Sequence, residues 1–103
     1  MLLPAGASVS SNKVAWLRLA LEDLHDIGTY LAGHDPEAAQ DVARHIWEAG
    51  QSLVKVPSRG RPGRVPGTRE LVLTKYPYFL AYRVNKQEVQ IMRVLHTSRK
   101  YPS

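Results

Sequence analysis

Four side chains suited to acid–base or phosphate chemistry crowd into one short stretch near the end of the chain: His96, Arg99, Lys100 and Tyr101 in HTSRKYP. A histidine titrates near neutral pH and can give or take a proton. A guanidinium grips a phosphate through parallel N–H donors, and a tyrosine ring gives a nucleobase a surface to stack on. With Arg83 upstream, these groups could make a metal-independent nuclease: His96 as acid or base, Arg99 and Arg83 as phosphate clamps, Tyr101 as stacking platform. The plainer reading has His96 capping a strand and Arg99 pairing with a carboxylate. The other histidines, His25, His34 and His45, form no HxxxH or HxH pair and read as surface residues, and the chain has no cysteine. No metal or cofactor is therefore expected, nor thiolate or disulfide chemistry.

Charge is divided along the chain. Residues 1–52 carry a formal charge of −4, whereas residues 53–103 carry +9. Such a basic half points to a polyanionic partner, nucleic acid or an acidic protein, against the blander alternative of a solubilising surface. Arg59, Arg61 and Arg64 are spaced like a basic strap along VPSRGRPGRVPG, which lacks the Gly-Lys-Ser/Thr of a phosphate-binding P-loop. Arg61, Arg64, Arg69, Arg83, His96 and Arg99 are the candidate contacts to a target.

These residues must be held by a small frame. A length of 103 residues allows one domain, and no apolar run approaches the roughly 20 residues that cross a bilayer. A cytoplasmic setting without a membrane partner is the expectation. Residues 1–12 lack charge and periodicity and read as a disordered lead-in, leaving 13–103 as the domain. Lys13–Leu17 alternates like a short strand. Leu17, Ala20, Leu21, Leu24, Ile27 and Leu31 then recur at helical spacing, ending at Gly33. Asp35-Pro36 opens a second helix with the stripe Ala38/Ala39, Val42, Ile46, Ala49 and Leu53, and Trp47 sits at its edge. The linker is so short that the two helices form an antiparallel hairpin. Three prolines and three glycines between Val56 and Gly67 forbid helix or central strand.

Three strands follow, at Thr68–Leu73, Tyr78–Val84 and Glu88–His96, the last two joined by a short turn. Pairing Val84 with Val89 sets Tyr82 opposite Ile91, Leu80 opposite Arg93 and Phe79 opposite Val94. One face then carries Tyr78, Leu80, Tyr82, Val84, Val89, Ile91 and Leu95, and lies on the helices. The other, with Phe79, Ala81, Arg83, Gln90, Met92 and Val94 and with His96 at its end, is left uncovered as a binding surface.

The order β-α-α-β-β-β, with RVPGTRELV, YPYFLAYRV and a terminal VLHTSRKYP, resembles the RelE/ParE toxins of bacterial type II toxin–antitoxin systems. The resemblance spans Val14 to Pro102 and is most specific from Val65 onward. It implies an α+β fold, an antiparallel sheet packed on a helical hairpin, and a growth-inhibiting toxin neutralised by a cognate, adjacently encoded acidic antitoxin. It also implies one of two targets: DNA gyrase for ParE-like members, or mRNA on the ribosome for RelE-like endoribonucleases. RelE-like nucleases have an arginine where this chain has Phe79 and lysines where it has Glu70 and Val72, with Arg69 alongside. Their arginine after the fourth strand is matched by Arg99. Their functional tyrosine has no equivalent unless Tyr101 substitutes. The ParE-like reading is therefore preferred.

Overall fold

The computed structural model describes residues 13–102, so the expected lead-in at 1–12 lies outside the described residues. Strand β1 (Lys13–Trp16) leads into helices α1 (Arg18–Ala32) and α2 (Pro36–Ser52). A 3-10 turn at Pro57–Arg59 and a two-residue strand β2 (Arg61–Pro62) follow. Strands β3 (Arg69–Val72), β4 (Tyr78–Asn85) and β5 (Glu88–His96) complete one five-stranded sheet in the order β1-β5-β4-β3-β2.

Local chemistry explains both helices. The Asp35 carboxylate accepts from the backbone N–H groups of Glu37 and Ala38, each at 3.2 Å, and Pro36 begins α2 without needing an N–H. Gly33 does cap α1, but in a right-handed conformation (φ −71°), so its freedom to adopt positive φ is unused. Ala20 from α1 and Val42 and Ile46 from α2 are buried against Leu71, Leu80, Tyr82, Val89, Ile91 and Val94 of the sheet. Leu21, expected on the buried stripe, is exposed instead. Burying the larger of these side chains, such as Val42 and Ile46, stabilises by roughly 1.5–3 kcal/mol each, which outweighs the modest helix propensity of the hairpin. Tyr82, wholly buried, spends its hydroxyl on the loop: it donates to Pro57 O at 2.7 Å and accepts from Gly60 N–H at 2.8 Å.

Three features depart from the sequence reading. The sheet is mixed: β1 runs parallel to β5, with Val14 opposite Val89 and Trp16 opposite Ile91. The Pro/Gly-rich segment contributes the edge strand β2, a position proline tolerates. The β4–β5 register also changes part-way. Val84 pairs with Val89 and Tyr82 with Ile91, as expected, but Ala81 then pairs with Arg93, Leu80 with Val94 and Phe79 with Leu95. Met92 is the extra residue of a β-bulge, and one extra residue swaps the two faces beyond it. Val94 therefore enters the helix-side core, and Leu95 joins Phe79 and Ala81 on the opposite, open face.

That open face is not bare, as the alternation alone suggested. Phe79, Ala81 and Leu95 are buried in a second small cluster, with Tyr101 from the C-terminal segment packed against it.

Candidate functional site

The open face centres on Phe79, which is 0% exposed. Tyr101 meets it edge-on with ring centroids 6.0 Å apart, and the Arg64 guanidinium lies 5.1 Å from its centroid. An edge-to-face ring contact and a cation over the ring face both suit the charge distribution of the aromatic ring. Beside it Glu70, 1% exposed, accepts from Arg61 Nη2 at 3.2 Å and from the Arg64 backbone N–H at 3.0 Å, with Arg64 Nε at 3.4 Å. A carboxylate so fully withdrawn from water is tolerable because charge and hydrogen bonds meet it from the loop above. Two arginines of the basic strap are thus fixed over a buried anion, their guanidinium edges still reaching solvent.

Arg69 is turned elsewhere. Its Nη1 donates to Gly60 O at 2.7 Å and Ser58 O at 3.2 Å, so it holds the loop in place. Arg59 likewise donates to Ser52 Oγ at the end of α2.

His96 and Arg99 share a shallow cleft of about 280 Å³ at the far end of β5, together with Asp23, Asp26, Tyr30 and Tyr78. The His96 ring stands edge-on to Tyr78, and its Nδ1 accepts from the Ser98 backbone N–H at 3.1 Å. In the neutral ring this places the proton on Nε2. The expected strand-capping role of His96 is thus present, and its carbonyl also accepts from Arg99 N–H at 3.0 Å. Asp23 in this cleft is engaged by Arg93 (2.7 and 2.8 Å) and by the Val94 backbone N–H (2.9 Å), closing the edge of β5 where β1 stops. Its carboxylate holds the Arg93 guanidinium above its usual pKa.

The four residues of the hypothetical nuclease do not converge. His96 pairs with Tyr78 at one end of the β4–β5 ladder, whereas Arg83 pairs with Gln90 near the hairpin tip. There Arg83 Nε donates to Gln90 Oε1 at 2.6 Å, and Gln90 in turn donates to Glu88, which also meets Lys13 at 3.5 Å. Tyr101 sits on the open face over Phe79, across the sheet from His96. Of that set, the cleft joins His96 with Arg99.

A further polar cluster escaped the sequence reading. The Asp41 carboxylate on α2 accepts from the Tyr76 hydroxyl, from Lys75 Nζ at 3.0 Å and from Arg44, with His45 Nδ1 at 3.6 Å. Its carboxyl is held far below the usual carboxylate range, chiefly by the Tyr76 and Lys75 hydrogen bonds, and the same bonds raise the Lys75 and Tyr76 values. The cluster clips the β3–β4 turn to the helical layer. Nothing at short range in the sequence signals it, because 35 residues separate Asp41 from Tyr76. Glu70 had a clearer sign, being one of two acidic residues in the basic half.

The family model for the ParE toxin of the type II toxin–antitoxin system parDE matches residues 14–101. The Sinorhizobium fredii protein Y4kP is 39% identical over 94 residues, covering 91% of this chain and 97% of that protein. Toxin RelE2 of Caulobacter vibrioides is 38% identical over 87 residues, covering 84% and 97%. Among solved structures, the chromosomal ParDE toxin–antitoxin system from P. aeruginosa superposes with a TM-score of 0.79 at 32% identity, covering 84% of this chain and 97% of the other. The toxin–antitoxin complex RelBE2 from Mycobacterium tuberculosis gives 0.56 at 25% identity, covering 84% and 98%.

Proposed function

Because the chain belongs to the ParE toxin family of type II toxin–antitoxin systems, we propose that it arrests growth by binding a macromolecular target, DNA gyrase, without a catalytic centre of its own. The observation that carries this reading is the burial of Phe79 beneath Arg64 and Tyr101. Its position is the one at which an RNA-cleaving relative is expected to present arginine to the scissile phosphate. Here that position is a packed aromatic core. Glu70 stands where a lysine is expected, and it draws Arg61 and Arg64 down onto the sheet. A transition state with developing negative charge needs donors aimed at the reacting phosphate, and a buried carboxylate beneath them works against it. A rigid basic surface suits contact with an acidic protein surface better.

An antitoxin completes the reading. The ParDE and RelBE2 neighbours are toxin–antitoxin systems, and a basic half of +9 favours an acidic partner for this chain.

Purified protein added to a gyrase supercoiling and DNA-cleavage assay is the test. Inhibition at micromolar concentration or below is expected, weakened at least about tenfold by Arg61→Glu/Arg64→Glu in protein that circular dichroism shows to be folded. No effect at micromolar excess sinks the gyrase target.

One observation favours the alternative of a RelE-like ribosome-dependent mRNA interferase: the shared cleft of His96 and Arg99. Primer extension on mRNA in a translating extract separates the two. Cleavage abolished by His96→Ala and Arg99→Ala would establish the nuclease, whereas intact message supports the ParE-like action.

A further inference from the structure

The sheet ends at β1. This strand pairs with β5 on one side, and among the described residues no strand lies on its other side. Hydrogen-bond phase decides what the edge offers. Lys13 N–H donates to Gln87 O at 3.4 Å and Leu17 N–H to Ile91 O at 2.9 Å, so both turn their backbone toward β5. Successive residues of a strand point their peptide groups to opposite sides, so residues bonding one neighbour alternate with residues bonding the other. Ala15 therefore also turns toward β5, whereas Val14 and Trp16 aim their N–H and C=O groups outward.

The same two residues send their side chains into the helical layer. Both pack against the main core, and the Trp16 ring lies against Gly50 of α2, where a Cβ has no room. Trp16 also stacks on Trp47, with ring centroids 5.1 Å apart and planes 11° from parallel, and Trp47 is 47% exposed. The edge is thus braced from within and bordered by an aromatic surface in water. A lysine commonly guards a free edge against pairing. Here Lys13 is drawn to Glu88 of β5 at 3.5 Å, and the outward-bonding positions carry no charge. Nothing on this edge selects an acidic or a basic segment.

We propose that β1 pairs antiparallel with β1 of a second copy of this chain, joining two five-stranded sheets into one. Only one register uses both outward residues and nothing outside β1. Val14 lies opposite Trp16 of the second copy, and Trp16 opposite its Val14, so every outward N–H meets an outward C=O. Ala15 faces its own counterpart across the two-fold axis, a non-hydrogen-bonded pair with Cα atoms about 4.5 Å apart. Centring the axis on Trp16 instead sets Val14 against Arg18, which already belongs to α1. The contact is isologous and closes at two copies. Its axis passes through the sheet, so both open faces point the same way, with an Arg61–Arg64 platform toward each far end. The pairing does not depend on which target the toxin has.

The test uses the full chain, whose sequence has no cysteine, so a single introduced cysteine reports pairing without background. In a glutathione redox buffer, Ala15→Cys is expected to form a disulfide-linked dimer at least about tenfold faster than Val56→Cys, a control at a 50%-exposed loop position. Val14→Cys lies too far from its own counterpart to be bridged and is expected to match the control. Sedimentation velocity of the unsubstituted chain is expected to show the mass rising from monomer to dimer across the micromolar range. Val14→Pro removes an outward N–H while leaving the β5 ladder intact, and is expected to raise the dissociation constant about tenfold or more. Circular dichroism checks the fold of each variant, and if Val14→Pro does not fold, the cross-link and the unsubstituted chain decide. Equal rates for Ala15→Cys and Val56→Cys overturn the pairing, as does a chain that stays monomeric throughout that range. Cross-linking fastest at Val14→Cys overturns the register.

Discussion

Arg64 lies between two partners of opposite character: its guanidinium stacks over Phe79 at 5.1 Å while its Nε stands 3.4 Å from the buried carboxylate of Glu70. One side chain therefore seals an apolar cluster and neutralises an acid. The two partners of the ion pair are unequal in exposure, Glu70 being withdrawn from water and Arg61 and Arg64 half in it. Removing the arginines strands a buried charge, whereas removing the glutamate frees two cations that can turn to solvent. Arg61→Ala/Arg64→Ala should cost about 3–5 kcal/mol, and Glu70→Gln about 1–2 kcal/mol, in urea denaturation at neutral pH. Equal costs would show that the buried charge is not what the arginines stabilise.

The Tyr101–Phe79 contact makes a second prediction. Phe79→Ala should destabilise by about 3–4 kcal/mol, since it empties the centre of the open-face cluster. Tyr101→Ala, which removes a lid rather than the filling, should cost about 1 kcal/mol. Thermal melts of both variants give the ranking. A larger loss for Tyr101 would mean that the C-terminal segment, not Phe79, organises this face.

Acid should release the helix-to-turn clip. The Asp41 carboxyl is depressed in the folded protein, so its stabilisation is present in full above the ordinary carboxylate pKa of about 4 and is lost as pH falls toward the folded value. Asp41→Asn should lower stability at pH 6 and make the acid limb between about pH 5 and 2 shallower. Denaturant midpoints measured across that range check the sign. Parallel acid limbs for the variant and the unsubstituted chain would assign the pH dependence to other carboxylates.

The bulge can be tested by deletion. Met92 is the one unpaired residue between Ile91 and Arg93, so removing it leaves every pair and both face assignments in place. The Met92 deletion should fold, at a cost of about 1–3 kcal/mol from lost twist and packing. Deleting Gln90 instead shifts the facing of neighbouring core residues and should prevent folding. Heteronuclear NMR spectra of the two deletions distinguish these outcomes.

Most of the frame was legible in the sequence because it depends on local rules. Asp35-Pro36 marks a helix start by capping chemistry alone, and Tyr78–His96 alternates as a hairpin must. What escaped was set by partners distant along the chain. Val94 and Leu95 exchanged faces because of one bulge residue, which pattern counting skips over. The parallel pairing of β1 with β5 is invisible in either strand by itself. The nuclease-like set is divided between two faces for a related reason. His96 and Tyr101 are near neighbours in sequence, but the turn at Thr97–Tyr101 sends them to opposite faces of the sheet. The buried acid Glu70 explains why two basic candidates, Arg61 and Arg64, serve the loop as well as the surface, while Arg69 is taken up by the Ser58 and Gly60 carbonyls.

The place of β5 in the sheet bears on how the protein comes into being. It is the last strand in chain order, yet it lies inside the sheet, joining β1 to β4. Until residues 88–96 have left the ribosome, β1 has no strand to pair with, and the helical hairpin lacks the Ile91 and Val94 surface on which it rests. A half-made chain therefore cannot assemble its core, whatever its local preferences. For a toxin, this ordering ties the active shape to the last strand, because no earlier portion of the domain can close the sheet by itself.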